Sequence, residues 1–407
     1  MYNLSNHYEN IYQYLKTIIT DPRVGYLHPF GSTQPENLEI IRDDVNAPDA
    51  RADFVTLVPG SKPIATFQRG PLFIFYDQEP LDVEYNKTFF DYVTNNTRNP
   101  YILVNTERNS KDKDLILEKY PFAEINYFFH IFAATDWYRG HEFIPTIIPP
   151  AERTLKKTYI TFNRLTSNRR IYRSLLINEL YKNNLLEHGY VSYSKNCPDG
   201  GKFDLNLLKG VSEYHLPSDL VKEAIKNINQ LPELRIDFET DDYIPNQSML
   251  LSPVDKLMES FIFLVTETCF FQNKTHLTEK IFKPIVLRMP FILVGCAHNL
   301  AYLRSYGFKT FSDFWDESYD TIEDPVLRLQ AVTKILKDIA TMTPEQQKAM
   351  LKDMAPVLEH NYNLFNSPEL VRKEWEYLKQ QLATMCKNYE FKLPYRLNSR
   401  LGQAIPC

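Results

Sequence analysis

The chain has 407 residues, of which 43% are hydrophobic and 24% charged, with 26 Tyr and 26 Phe. These proportions exclude a disordered or low-complexity polypeptide, and the length suits two domains that each have a core. A formal net charge of −5 excludes attachment to nucleic acid by bulk charge and leaves only a local basic groove for such a partner.

In chain order, Tyr8, Ile11, Tyr12, Leu15, Ile18 and Ile19 recur at helical spacing, and Asp21-Pro22 stops that helix. Residues 24–27 read as a short strand leading into the turn-rich His28-Pro29-Phe30-Gly31-Ser32. A further strand is expected over 53–58, and the clearest one over 72–76 runs directly into Asp77-Gln78-Glu79-Pro80. Helical stretches at 82–95 and 112–119 alternate with strands at 101–104 and 125–129. That alternation predicts βα units around a mostly parallel sheet. Pro145, Pro149 and Pro150 mark a linker. Active-site groups of open α/β sheets lie beyond the carboxyl ends of strands. Asp77 and Glu79 are therefore candidates for a general base on an acceptor hydroxyl. The plainer alternative is that Asp77 caps a turn and Glu79 is a surface residue.

The second half opens with a strand at 158–162 and the run Asn163-Arg164-Leu165-Thr166-Ser167-Asn168-Arg169-Arg170. A helix follows, with Ile171, Leu175, Leu176, Leu180 and Leu185 along one side and Ser167 or Asn168 as its expected N-cap. Arg164, Arg169, Arg170 and Arg173 thus gather at a strand-to-helix turn. Basic residues are misplaced at a helix N-terminus unless an anion sits there, and arginine suits phosphate oxygens. The other reading is a solvated basic helix start. A strand at 190–194, a loop at 196–201 and a helix with a polar connection over 216–242 come next. Asp241-Asp242 are adjacent and lie in an acidic loop, unlike a spaced carboxylate pair, so no metal is predicted.

The stretch 259–320 organises this half. An apolar run ends in Thr266-Glu267, a short helix begins at Thr278-Glu279-Lys280, and a second apolar run covers 291–295. Strand, helix and strand of this kind belong to a parallel sheet covered by helices. Glu279 at a helix start can accept from both hydroxyls of a ribose, and Lys280 supplies a point charge for a diphosphate. Alternatively, Glu279 and Lys283 form an i,i+4 pair on an exposed face. A helix at 299–306, the segment 307–311 returning toward the sheet, and a loop at 314–319 follow. Helices are expected at 325–339, 344–359 and 367–386. Lys392, Arg396 and Arg400 are interleaved with Tyr389, Phe391 and Tyr395 in the tail beyond. Such a tail could touch nucleic acid or pack over a domain junction.

The five cysteines are scattered without CxxC spacing, which predicts neither a disulfide framework nor a zinc site and suits a reducing compartment. With no secretory leader and no membrane-length apolar run in the sequence, no membrane partner and a cytoplasmic location are expected, in a bacterium or a phage-infected host.

Residues 158–176 and 260–320 together resemble the donor-binding domain of GT-B glycosyltransferases of the fucosyltransferase-like and exostosin-like groups and their phage-type relatives. The resemblance is carried by Phe162-Asn163-Arg164 with Asn168-Arg169-Arg170, by Val265-Thr266-Glu267-Thr268 and by Thr278-Glu279-Lys280-Ile281-Phe282-Lys283-Pro284. Pro290-Phe291-Ile292-Leu293-Val294-Gly295 and Gly307-Phe308-Lys309-Thr310-Phe311 complete it. It implies an α/β fold of two Rossmann-like domains facing a cleft, with the C-terminal helices crossing back. The expected division is 1–150 on the acceptor side, 151–360 for the donor, and 361–407 across the junction. It also implies a metal-independent enzyme without a cofactor, whose co-substrate is a nucleotide-diphosphate sugar. The expected donor contacts are Arg164, Arg169, Arg170, Thr266, Glu267, Thr278, Glu279 and Lys280. Asp77 or Glu79 would be the base of an inverting transfer. The acceptor is either a glycan or small hydroxyl compound, or a hydroxymethylated base in phage DNA. A non-catalytic sugar-nucleotide-binding protein is the competing class.

Overall fold

The computed structural model describes residues 25–27, 72–76, 80–84, 87–96, 101–129, 147–197, 201–236 and 253–389. The expected first helix, the strand at 53–58, Asp77 and Glu79, Asp241-Asp242, and the tail from 390 onward lie outside them. The chain divides into two compact units, Met1–Gly140 with Ser367–Cys407, and His141–Asn366. Both are parallel α/β structures, the class that alternating strands and helices predict. No described helix is long and apolar enough to cross a membrane.

The first unit carries four parallel strands in the order β1 (Gly25–Leu27), β2 (Leu72–Tyr76), β3 (Tyr101–Asn105) and β4 (Ala123–Tyr127). Helices Lys87–Asn96 and Lys111–Lys119 connect the later strands. β3 is buried along its whole length, which its uninterrupted Tyr-Ile-Leu-Val run makes possible. The Lys111–Lys119 helix starts where Ser110 accepts from the Lys113 N–H at 3.1 Å. Asp112 and Asp114 in its first turn and Lys119 in its last complement the helix dipole.

Among the described strands β4 ends this sheet, and the Pro368–Tyr389 helix covers it. The Gln381 amide meets the strand as another strand would: its Nε2 donates to the Tyr127 carbonyl at 2.7 Å, and its Oε1 accepts from the Tyr127 N–H at 3.1 Å. Two turns away along the helix, Glu374 accepts from the Phe129 N–H at 3.3 Å. Burial pushes the Glu374 carboxyl up to about 7, against the smaller opposing pulls of the Phe129 N–H and Arg108. Between pH 4.5 and about 7 the unfolded chain gives up this proton while the folded chain keeps it. Stability of the first unit is therefore greatest below that window and falls as pH rises through it, by up to about 3 kcal/mol. Glu374→Gln retains the acceptor and removes the titration. Urea midpoints that decline from pH 5 to pH 8 in the parent should flatten in the variant, and equal slopes would refute the assignment.

The second unit has the order β6-β5-β7-β8, again all parallel: β5 (Lys157–Asn163), β6 (Gly189–Tyr193), β7 (Ser260–Thr266) and β8 (Phe291–Val294). β7, an unbroken apolar run from Phe261 to Val265, is buried at all seven positions. From β5 the chain passes to one side to form β6 and later returns on the other side as β7. That reversal is the topological switch point, where open α/β sheets leave a crevice at the strands' carboxyl ends.

Some elements differ from expectation. A helix at Phe203–Glu213 was not anticipated; Gly210 lets it lie against the start of the earlier Tyr172–Lys182 helix, since a Cβ there would sit 2.3 Å from Ile171 Cδ1. The single helix expected over 344–359 is two, Pro344–Asp353 and Ala355–Phe365. Pro356 lacks the N–H that would continue the first ladder, so it serves in the opening turn of the second. Residues 307–311 do return to the sheet, with the Phe311 ring edge-on to Phe291 at 5.1 Å. They form no strand, because Asn361 takes both main-chain groups of Lys309 at 2.8 Å each.

Candidate functional site

Two loops meet at the switch point. The first leaves β5 at Asn163 and tightens into a single 3-10 turn, Asn168–Arg170, before the Tyr172–Lys182 helix. Asn168 takes a left-handed φ of 50°. The capping expected of Ser167 or Asn168 does not occur through a side chain. Instead the carbonyls of Ser167 and Asn168 accept from the N–H groups of Arg170 and Ile171 at 2.9 and 3.1 Å. Ser167 is consequently left buried with no hydrogen-bond partner for its hydroxyl.

Arg173, one helical turn on, points inward. Its guanidinium donates to the Leu165 carbonyl at 2.9 Å, to Thr266 at 2.9 Å and to Glu267 at 3.3 Å, and also lies against the Tyr172 hydroxyl. That hydroxyl in turn donates to the Glu267 carbonyl at 2.6 Å. A buried cation therefore stitches the exit of β5 to the exit of β7, and its hydrogen-bond partners include no carboxylate. Its Nε has no hydrogen-bond partner. Arg169 is also buried, whereas Arg164 and Arg170 are half-buried.

The second loop leaves β7 through Thr266 and Glu267. The Thr266 hydroxyl donates to the Phe162 carbonyl at 3.1 Å and so fixes β7 to β5. The Glu267 carboxylate is fully buried and gathers the far end of its own loop. It accepts from the Thr278 hydroxyl at 2.5 Å, and from the N–H groups of Thr278 and Thr268 at 3.3 Å each. Burial raises its pKa, with the Lys280 ammonium opposing that rise. Thr278 then N-caps the Glu279–Val286 helix. Lys280 Nζ lies 2.6 Å from Glu279 Oε1, 3.3 Å from the Thr278 hydroxyl and 3.4 Å from the Thr268 hydroxyl. Thus Glu267, Thr268, Thr278, Glu279 and Lys280 form one connected group.

An exposed Glu279–Lys283 pair is ruled out. Both residues are buried; Glu279 pairs with its neighbour Lys280, and Lys283 Nζ sits 5.4 Å over the Phe162 ring. This face of the helix is turned to the sheet rather than to water, and it brings the helix beside the exit of β5.

A further buried cation closes the far side. Arg328 donates to the carbonyls of Gly295 and Glu323 at 3.1 Å and of Ile322 and Phe270 at 2.5 Å, and stacks 4.5 Å over the Phe270 ring. Burial lowers its pKa, with nearby acidic groups opposing. Gly295 allows β8 to end close to Glu267, since a Cβ there would lie 3.2 Å from Asn299 Nδ2 and 3.5 Å from Glu267 Cβ.

The resulting shelf has three hydroxyls, an ammonium–carboxylate pair and buried guanidinium charge at the carboxyl ends of β5 and β7. Its chemistry suits an anion that also carries hydroxyl groups. Thr266 and Glu267 use their side chains to hold the two loops; Arg173 was expected in the arginine cluster at the turn and Ser167 only as an N-cap, while nothing in the sequence pointed to Arg328. Among the described residues, no three His, Cys, Asp or Glu side chains converge as metal ligands. No family model and no curated protein sequence matches the chain. Among solved structures it is similar to a variant of S. aureus TarM crystallised with fondaparinux, α-GlcNAc-glycerol and UDP. The TM-score is 0.31 and the identity 10%, over 74% of this chain and 52% of that one, so the chain spans about half the length of that protein.

Proposed function

We propose that the chain is a glycosyltransferase that moves a sugar from a nucleotide-diphosphate donor to an acceptor hydroxyl, with His141–Asn366 as the donor-binding unit. The observation that carries this reading is the joining of Glu279 and Lys280, through Thr278 and Glu267, to the switch point that Arg173 stitches together. Glu279 accepts from the ribose hydroxyls; Lys280, with Arg164, Arg169 or Arg170, neutralises the diphosphate. As the bond from the anomeric carbon to the diphosphate oxygen breaks, its electron pair stays on that oxygen, where positive charge is most stabilising. The acceptor oxygen forms the new bond in a single inverting displacement and gives its proton to Asp77 or Glu79, which follow β2 in sequence. No metal or other cofactor has a part in this scheme.

A thermal-shift screen with UDP, GDP, ADP, CDP and their sugars tests it. One nucleotide series at a hundredfold excess over its Kd should stabilise the fold by about 2.7 kcal/mol. For a unit of this size that is a rise of about 5–10 °C; no shift with any of them would overturn the reading. Transfer assayed with glycans and with hydroxymethylated phage DNA then identifies the acceptor. Absence of transfer and of donor hydrolysis, despite binding, would leave a sugar-nucleotide-binding protein. DNA as acceptor further requires binding that weakens steeply with salt.

A further inference from the structure

Buried polar side-chain atoms are almost always paired, so those without partners ask for a physical reason. In the second unit three such atoms lie around the exit of β5. Asn163 Oδ1 is at the last residue of β5, Ser167 Oγ in the turn that follows, and Arg173 Nε one helical turn beyond. Exposure is 0% for Asn163, 3% for Ser167 and 4% for Arg173. The rest of each side chain is well occupied. Asn163 Nδ2 donates to the Thr161 hydroxyl at 3.1 Å, and Arg173 holds three carbonyls. Loose packing therefore does not account for the unpaired atoms.

They flank one small element, the Asn168–Arg170 turn. It is held by two main-chain bonds and begins at Asn168, an exposed residue with a left-handed φ. That conformation is tolerable for asparagine but is not its resting one, so the turn gains by rotating out of it. Two of the three unpaired groups are donors, one of them on a cation, and the Asn163 amide presents a third N–H if it turns over on Thr161. A hydroxyl and a guanidinium N–H are donors that suit a phosphate oxygen.

We propose that the Asn168–Arg170 turn is an anion-operated latch: the donor diphosphate lifts it and accepts from Ser167 Oγ and Arg173 Nε, which the closed turn leaves without partners. This rests on the donor-site reading and deepens it, because the unliganded fold carries unsatisfied donors that the diphosphate completes. Ser167 and Arg173 then become determinants of diphosphate affinity, and the closed turn accounts for their burial.

Ser167→Ala is the test, since it removes a hydroxyl that makes no bond in the folded chain. Full-length protein is titrated with inorganic pyrophosphate and with UDP, GDP, ADP and CDP. The variant should bind the preferred diphosphate about tenfold more weakly, the loss of one hydrogen bond to a charged group. Its unliganded melting temperature should be no lower than that of the parent. Arg173→Lys, which keeps the charge and lacks Nε, should lose a similar factor. In the parent alone, pyrophosphate should change hydrogen exchange at the Arg170 and Ile171 amides that close the turn. Parent protein that binds none of the diphosphates would refute the donor site itself. Parent protein that binds, together with Ser167→Ala of unchanged affinity, would refute the latch and leave the donor site standing.

Discussion

Arg328→Met is expected to lower the unfolding midpoint of the second unit by about 10 °C. Arg328 gathers the exit of β8 at Gly295, the loop after β7 at Phe270 and the 322–323 segment, all through carbonyl oxygens. Methionine fills much of the same space over Phe270 and donates to none of them. Each carbonyl left dry costs about 1–3 kcal/mol. Relaxation recovers part of this, which leaves a loss of about 3–5 kcal/mol and, at about 2–4 °C per kcal/mol for this size, the stated shift. Lysine should rescue only partly, because a point charge cannot reproduce a planar fork that meets four oxygens. Circular dichroism melts of both variants provide the check. Midpoints within about 2 °C of the parent would show that the buried guanidinium holds nothing together.

Glu279→Ala is expected to weaken nucleotide-sugar binding by about 10–100-fold. Charge-assisted hydrogen bonds from two ribose hydroxyls contribute on this scale. The fold should survive, because the capping of the helix runs through Thr278 and Glu267 rather than through Glu279. Glu279→Gln keeps one acceptor oxygen and should fall between parent and alanine. Calorimetric titration with the preferred nucleotide sugar measures all three, and an unaltered Kd in the alanine variant would remove Glu279 from the donor site. The same change releases Lys280 from its partner at 2.6 Å. Some charge on the phosphates is thereby gained while the ribose grip is lost, so the nucleoside monophosphate should suffer proportionally more than the diphosphate.

Much of the fold was legible because parallel strands are buried on both faces and write themselves as unbroken apolar runs. β3, β7 and β8 are examples. Thr278 before Glu279 was legible for another reason, since a hydroxyl residue preceding an acidic first turn is a local signal. The Phe203–Glu213 helix was hidden. Leu205 and Leu208 are more than half exposed and blur its apolar face, Gly210 interrupts it, and Lys202 at its start makes no side-chain cap. Site residues divide in the same way. Glu279 and Lys280 stand at a helix start that the sequence marks. Arg173 and Arg328 sit inside helices, and no neighbour in sequence distinguishes a guanidinium turned onto distant carbonyls from one turned to water. Their partners are main-chain oxygens up to 94 positions away in one case and 58 in the other. Only the folded chain shows that relationship.

The clip between Gln381 and Tyr127 joins positions 254 residues apart in sequence. As the polypeptide emerges from the ribosome, the edge of β4 is made long before the helix that covers it. All of His141–Asn366 is translated in between and can fold first. The earlier-made lobe is therefore the last to be completed, and for most of synthesis its open strand edge offers main-chain donors and acceptors to any neighbouring nascent chain.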